Sequence, residues 1–155
     1  MKPLAAKILD NLAIAYELRE YEVTDEDFNA LAVAEKIGLA PCQVFKTLVA
    51  RSSHKVILIA SVAADRELDL KALAKVSGEK KVELVPVKEI QKITGYVRGS
   101  VSPLGMKRSY PYYLDSSAFD HKVISISAGQ KGLQLILSPA DLQRITHAKL
   151  VEIST

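Results

Sequence analysis

The sequence has little of several residue types that specialised sites require. Its 155 residues include one cysteine, Cys42, three histidines and no tryptophan, and only 6% of them are aromatic. A single cysteine excludes an internal disulfide, and the histidines have no Asp, Glu or Cys at ligand spacing, so we expect neither a metal site nor a cofactor. The chain also lacks an apolar run of the roughly 20 residues that a membrane-spanning helix needs, and residues 1–3 do not resemble a signal peptide. We therefore expect a cytoplasmic protein that does not contact a membrane.

Common catalytic motifs are missing as well. The chain has no Gly-x-Ser-x-Gly elbow, and Cys42 has no neighbour suited to a catalytic dyad. A glycine-rich loop spans 95–105, but no Gly-Lys-Ser or Gly-Lys-Thr follows it, which excludes a phosphate-binding P-loop. An enzyme with this sequence would have no evident acid/base pair of its own.

Charge and length limit the kind of partner. The chain carries 21 Lys and Arg against 18 Asp and Glu, a net charge of +3, and 48% of its residues are hydrophobic. This composition predicts a single globular domain over 1–155, most simply a monomer. A charge this small is far below that of a protein that coats a duplex, so any contact with nucleic acid is local or shared with a partner.

Hydrophobic periodicity predicts interleaved helices and strands. Thr24, followed by acidic residues, is the predicted N-cap of a helix that runs to Ile37 and stops at Gly38. Asp65, Glu67 and Asp69 are predicted to form a solvated polar turn. The other predicted helices span 4–12, 70–76 and 87–93, and one opens at 138–141. The predicted strands span 15–23, 43–51, 55–62, 81–85, 110–114, 122–127, 133–137 and 148–153. The short gap at 52–54 predicts that 43–51 and 55–62 form a hairpin. Together they predict an α+β fold with a curved, mostly antiparallel mixed sheet or barrel surrounded by helices.

Lys46 is an unusual residue for its segment, 44–50, which otherwise resembles a buried strand. With period-2 alternation, neither face of that strand is uniformly polar. Burial of an unpaired charge is costly, so Lys46 either reaches water from an edge strand or projects into a pocket that binds an anionic or carbonyl-bearing ligand. Strand patterning alone does not separate the two interpretations.

The loop 95–105 and the turn 127–129 are candidate ligand contacts. Glycines in both segments allow backbone amides to approach a ligand closely, and Arg98, Ser100, Ser102 and Ser127 are potential donors. Taken alone, each segment is equally consistent with ordinary turn structure.

Three segments of the chain, 43–48, 95–105 and 127–133, resemble the signature blocks of the YbaK/EbsC family. Its members are free-standing trans-editing deacylases related to the editing domain of bacterial prolyl-tRNA synthetase. The resemblance covers nearly the whole chain. It implies hydrolysis of mischarged Cys-tRNA(Pro), with Cys-tRNA(Cys) as a lesser substrate, and it implies the acceptor end of tRNA(Pro) and prolyl-tRNA synthetase as partners.

The resemblance also implies roles for individual residues. The residue corresponding to Lys46 is the key functional residue of the family, and the attacking group is thought to be the substrate's own thiol. Water held by the ribose 2′-hydroxyl is the alternative nucleophile. We expect backbone amides at 99–100 or 127–129 to hold the ester carbonyl. The positions that match those lining the family's pocket are Tyr21, Phe28, Thr47, Gly99, Ser127 and Gly129. We expect Ser100 to be an additional substrate contact.

Three departures from the family pattern affect the choice of substrate. Ser100 and Val101 replace a glycine and a Cys or Ile that relatives often have, and Gln134 replaces an Asp. The altered loop leaves open a deacylase of the sister class that acts on alanyl-tRNA(Pro). A separate alternative is a non-catalytic module that binds tRNA or a nucleotide.

Overall fold

The computed structural model describes residues 2–24 and 29–155. The α-helices in this part of the chain each have eight residues: α1 (Leu4–Asn11), α2 (Ala30–Ile37), α3 (Leu70–Ser77), α4 (Val87–Thr94) and α5 (Pro139–Thr146). Among the described residues no helix is both long and apolar enough to cross a membrane. The strands are β1 (Glu17–Glu20), β2 (Phe45–Ser52), β3 (Ile57–Ala63), β4 (Val82–Leu84), β5 (Tyr112–Asp115), β6 (Ile124–Ser127), β7 (Leu133–Leu137) and β8 (Lys149–Val151).

The strands form two sheets. One is antiparallel, in the order β1-β7-β6, and the other has the order β4-β2-β3-β5-β8. In the five-stranded sheet β2 pairs antiparallel with β3 and β4, whereas β5 pairs parallel with β3 and β8. The predicted α+β class and mostly antiparallel pairing are confirmed. The sheets meet at an isolated parallel bridge between Val44 and Ser125, and no closed barrel forms among the described strands.

Strands β2 and β3 form the centre of the larger sheet because both of their faces are apolar. They pair as the predicted hairpin, in register from Phe45 opposite Ala63 to Arg51 opposite Ile57. One face packs in a core shared with the smaller sheet, and the other packs against α3 and the C-terminal segment. Burial on both faces explains the nearly continuous apolar sequence of β3.

Capping residues place two helices differently from the sequence expectation. Helix α2 begins at Ala30, and the Asn29 side chain caps it by accepting a hydrogen bond from the Leu31 N–H at 2.9 Å. The predicted cap at Thr24 is therefore wrong for this helix, although Gly38 ends it in the left-handed conformation, as predicted. Asp69, expected in a solvated turn, instead caps α3 by accepting from the Ala72 N–H at 3.0 Å.

Two strands are shorter than predicted because each forms ladder hydrogen bonds only where a partner strand lies beside it. The predicted strand 15–23 pairs only over Glu17–Glu20, opposite residues 133–136. The predicted strand 148–153 pairs only over Lys149–Val151, where β5 supplies a partner. Beyond β8 the apolar pattern includes Ile153, which is fully buried beside the sheet and not within it.

Candidate active site

A cavity of about 320 Å³ lies between the two sheets. Strands β2 and β6 approach each other at the Val44–Ser125 bridge and form no further ladder in the described part of the chain. Residues 44–49 line the cavity on the β2 side, and Ser127 and Gln134 line it on the side of the smaller sheet. The divergence of two strand edges therefore creates the site.

Three other segments complete the wall. Helix α2 contributes Ala30 and Val33, and the glycine-rich loop contributes Arg98, Gly99 and Val101. The β4–α4 segment contributes Leu84, Val85, Val87 and Ile90. Leu84 and Val87 are about half exposed, so they form an apolar rim at the mouth of the cavity. No sequence motif marks this rim, and its only signal in the sequence is the apolar run on both sides of Pro86.

The backbone of Thr47 faces the cavity. The Ala64 N–H donates to the Val44 carbonyl at 2.8 Å, whereas the Val85 N–H donates to the Val49 carbonyl at 3.0 Å from the opposite side of β2. Because successive residues of an antiparallel strand direct their amides to alternate sides, Thr47 points its N–H and C=O away from β3. β4 pairs only with residues 50–52, so among the described strands none bonds to Thr47 there.

Lys46 lines the same cavity and is partly exposed. It lies opposite Val62 in the ladder and forms no hydrogen bond or ion pair with any residue that the structure describes. Its ammonium group is therefore available to an anionic or carbonyl oxygen atom of a ligand. This geometry agrees with the interpretation of Lys46 as a pocket residue, and its role in the reaction stays a prediction.

Thr47 also has a side-chain contact within the sheet. Its Oγ1 lies 2.8 Å from Ser61 Oγ, and Ser61 Oγ accepts a hydrogen bond from the Tyr112 hydroxyl at 2.7 Å. Ser61 is fully buried and Tyr112 nearly so, and burial raises the pKa of Tyr112 far above its ordinary value. Tyr112 therefore stays protonated, and its hydroxyl remains a hydrogen-bond donor.

Ser127 holds the glycine-rich loop against β6. Its hydroxyl donates to the Ser100 carbonyl at 2.9 Å and accepts from the Gly129 N–H at 3.1 Å. Gly129 adopts φ +95°, and a Cβ there would lie 2.7 Å from the Tyr96 ring. The Tyr96 hydroxyl in turn donates to the Leu104 carbonyl. Any side chain at position 129 would push this tyrosine and the loop away.

Three of the backbone amides expected to hold the ester carbonyl already have partners. The Ser100 N–H donates to the Val97 carbonyl at 3.0 Å, and the Ala128 N–H donates to the Leu133 carbonyl at 3.1 Å. The Gly129 N–H is bonded to Ser127. The expectation is therefore wrong for these three amides, because the fold uses them to close its own turns.

The other predicted site residues lie at varying distances from the cavity. Ser100 is almost fully buried behind the wall, where its hydroxyl donates to the Val97 carbonyl at 2.9 Å. Tyr21 packs on a small cluster that includes Val44, and Lys36 Nζ lies 5.9 Å from the centre of its ring. Phe28 is outside the described residues. The structure thus brings Lys46, Thr47, Gly99 and Ser127 together, with Ser100 and Gly129 behind them.

Titratable groups in the described wall are few. Lys46 and Arg98 are the ionisable side chains there, and no carboxylate, imidazole or thiol lines the cavity within 2–24 and 29–155. The described residues also contain no cluster of three or more His, Cys, Asp and Glu that could hold a metal ion. The wall offers cations and hydrogen-bond donors, which can bind an anion or polarise a carbonyl without removing a proton.

Comparisons with known proteins identify the class. Residues 26–145 match the family described as the aminoacyl-tRNA editing domain. A protein of Enterococcus faecalis named as a candidate Cys-tRNA(Pro)/Cys-tRNA(Cys) deacylase, EbsC, is 36% identical over 99% of this chain and 94% of its own length. The Escherichia coli multifunctional Ser/Thr-tRNA deacylase ProXp-y is 31% identical over 77% of this chain and 74% of its own. A crystal structure of a candidate trans-editing enzyme for prolyl-tRNA synthetase has the same fold, with a TM-score of 0.82 at 20% identity over 100% of this chain and 99% of the other.

The chain therefore belongs to the aminoacyl-tRNA editing domain family, and the resemblance to YbaK/EbsC proteins is confirmed. It is an aminoacyl-tRNA deacylase, a hydrolase that acts on the ester bond between an amino acid and tRNA.

Proposed function

We propose that this deacylase removes cysteine from mischarged Cys-tRNA(Pro), with Cys-tRNA(Cys) as a lesser substrate. The observation that carries the proposal is the described cavity wall, which supplies cations and donors but no general base. A substrate that contains its own nucleophile suits such a wall. The 36% identity to EbsC over nearly the full length of both chains supports the same substrate class.

The proposed chemistry uses the thiol of the bound cysteine. The sulfur attacks the ester carbonyl carbon, a C–S bond forms, and the bond to the ribose 3′-oxygen breaks. The thiol proton passes to that oxygen, so the products are a cysteine thiolactone and free tRNA, and water later opens the thiolactone. The protein has only to orient the ester and stabilise the charge that develops on the carbonyl oxygen.

Lys46 is the proposed catalytic residue because it lines the cavity and its ammonium group has no described partner. It stabilises either the developing oxyanion or the phosphate of the terminal nucleotide. Thr47, Gly99 and Ser127 line the amino-acid site in this proposal, and Tyr21, Phe28, Ser100 and Gly129 shape it. The net charge of +3 suits a protein that holds the acceptor end alone, while prolyl-tRNA synthetase holds the body of tRNA(Pro).

A second substrate class has support from one wall residue. Gln134 stands where some relatives have Asp, and its Oε1 accepts from the Ser125 hydroxyl at 2.7 Å, which places a neutral amide in the cavity wall. A neutral amide can hydrogen-bond a substrate hydroxyl, and the Escherichia coli relative is a Ser/Thr-tRNA deacylase. Seryl- and threonyl-tRNA are therefore tested beside alanyl-tRNA(Pro).

The deciding experiment measures single-turnover deacylation of tRNA(Pro) charged with cysteine, alanine, serine, threonine or proline. We expect Cys-tRNA(Pro) to be consumed fastest and Pro-tRNA(Pro) to be spared. Faster loss of the alanyl, seryl or threonyl ester would reassign the substrate. If none of the esters is hydrolysed, the protein is not a deacylase and a binding module is favoured.

The cysteinyl and seryl esters together test the nucleophile. Serine differs from cysteine by one atom but does not ionise near neutral pH, so thiol attack predicts a rate several orders of magnitude lower for Ser-tRNA(Pro). Comparable rates would show that water is the nucleophile instead.

A further inference from the structure

Three hydroxyl groups form a chain from the core of the protein to the cavity. Tyr112 Oη donates to Ser61 Oγ at 2.7 Å, and Ser61 Oγ lies 2.8 Å from Thr47 Oγ1. The first two groups are buried, whereas Thr47 is partly exposed and lines the cavity. A serine in the centre of the otherwise apolar strand β3 has no packing advantage, so its hydroxyl is the feature that needs explanation.

The protons in this chain have one arrangement that satisfies both buried groups. In the described part of the protein Tyr112 Oη bonds only to Ser61, and Ser61 Oγ bonds only to Tyr112 and Thr47. If Thr47 donated to Ser61, the buried Ser61 proton would have no acceptor other than the Tyr112 oxygen. The Tyr112 proton would then be left unpaired in the core. Because a buried unpaired donor is costly, each hydroxyl donates outward, from Tyr112 to Ser61 and from Ser61 to Thr47.

We infer that this order leaves the Thr47 hydroxyl as a donor into the cavity. One lone pair of its oxygen accepts from Ser61, which leaves its own proton for an acceptor in the cavity. Each donation in such a chain strengthens the next, which makes Thr47 a better donor than an isolated threonine. The inference rests on the proposed function: Thr47 donates to the ester carbonyl oxygen, and Tyr112 and Ser61 are positioning residues that do not touch substrate.

This role fills a gap left by the backbone. The amides of Ser100, Ala128 and Gly129 are used within the fold, so these three expected donors do not serve the carbonyl oxygen. Thr47 presents two on one residue, its N–H at the open edge of β2 and its hydroxyl. Lys46 is next to it and supplies the charge. Together they form the donor set that stabilises the oxyanion.

The test is a double-mutant cycle on Tyr112 and Thr47, measured as kcat and KM for the ester that the wild-type protein hydrolyses fastest. Thr47→Val removes the hydroxyl but keeps the shape, and we expect kcat to fall roughly 10²-fold with KM nearly unchanged. Tyr112→Phe frees Ser61 to accept from Thr47, so we expect kcat to fall roughly tenfold. Thr47→Ser keeps the hydroxyl and should retain most of the activity.

Non-additivity is the decisive result. Once Thr47 is valine, Tyr112→Phe should cost no further activity, because its effect passes through the missing hydroxyl. Tyr113→Phe is the matched control: Tyr113 is buried beside Tyr112 and forms no part of the chain, so kcat should stay unchanged. Equal losses from Tyr112→Phe in both backgrounds, or no loss in either, would overturn the inference. A wild-type protein inactive on every ester would instead defeat the proposed function, so the two failures are distinguishable.

Discussion

Lys46 and Asp115 are both charged residues on strands adjacent to β3 in the five-stranded sheet, yet their surroundings differ completely. Asp115 is 3% exposed, and its carboxylate accepts hydrogen bonds from the Ile153 N–H at 2.9 Å, the Ser117 N–H at 3.2 Å and the Ser117 hydroxyl. Lys46 is partly exposed and bonds to none of the described residues. The fold surrounds one charge with donors and leaves the other open to a cavity.

The difference indicates which charge serves the fold. Asp115 joins the end of β5 to the C-terminal segment and to the short 3₁₀-helical segment Ser116–Asp120. Hydrogen bonds from within the chain therefore stabilise its carboxylate. An unpaired charge in a partly apolar site lowers the stability of the folded state. Its retention is consistent with a role in binding a ligand.

Arg51 is an intermediate case on the same strand as Lys46. Its guanidinium binds Glu89 of α4 through two hydrogen bonds of 2.8 and 3.3 Å, and both side chains are about one third exposed. The pair ties β2 to the helix that forms one wall of the cavity. Partly exposed pairs of this kind contribute little to stability.

The largest expected effect is that of Lys46→Ala on activity. We expect single-turnover deacylation to slow by roughly 10²-fold or more, on the order of 3 kcal/mol of transition-state stabilisation. Stability should stay the same or rise, because an unpaired ammonium leaves a partly apolar site. Lys46→Arg should also slow deacylation, since a planar guanidinium does not replace a compact ammonium in a confined space. Thermal melting of both variants checks that they are folded.

Lys71→Ala is the matched control, because Lys71 is exposed on α3 and has no described partner. It should leave both rate and melting temperature unchanged. A fully active Lys46→Ala protein would show that Lys46 has no role in the reaction and is an ordinary surface lysine.

Asp115→Asn should show the opposite pattern. The substitution keeps the shape but removes the charge and one acceptor, so we expect a loss of about 1–3 kcal/mol in the free energy of unfolding. The rate per folded molecule should be unchanged. Urea unfolding measures the first quantity, and single-turnover deacylation well below the midpoint measures the second. Asp120→Asn, at an exposed position five residues on, is the control, and equal stability of the two variants would contradict the structural role of Asp115.

The smallest effect is expected for the Arg51–Glu89 pair, and it should depend on pH. The hydrogen bond from Arg51 holds the pKa of Glu89 below its ordinary value of 4.5. The pair therefore stabilises the folded state above about pH 4.5, and this contribution disappears as the pH falls through the lower folded value. Melting temperatures of wild type and Glu89→Gln should differ slightly at neutral pH and converge in acid. A difference that grows in acid would contradict this assignment, and Glu83→Gln, which removes a more exposed pair with Lys81, is the control.

The sequence predicted the parts of the fold that depend on neighbouring residues. The α+β class, the β2–β3 hairpin and the stop at Gly38 follow from local periodicity and turn chemistry, and the structure confirms them. Lys46 was also recognised from the sequence as an unusual residue, because it is a single charge within an apolar strand segment. Strand ends and the start of α2 were less well predicted, since they depend on where a partner strand stops and which polar side chain reaches a free amide.

Tertiary structure alone decided how the site is built. The cavity exists because β2 and β6, far apart in sequence, touch at one bridge and separate, and no local pattern predicts where two sheets diverge. The chain of hydroxyl groups joins Tyr112 to Ser61 across 51 positions, and three of the amides expected to face the substrate are used in turns. Sequence by itself determined the class of fold, the family and an unusual lysine. Only the packed structure determined which donors face the cavity, because hydrogen-bond partners distant in the chain are set by pairing and register.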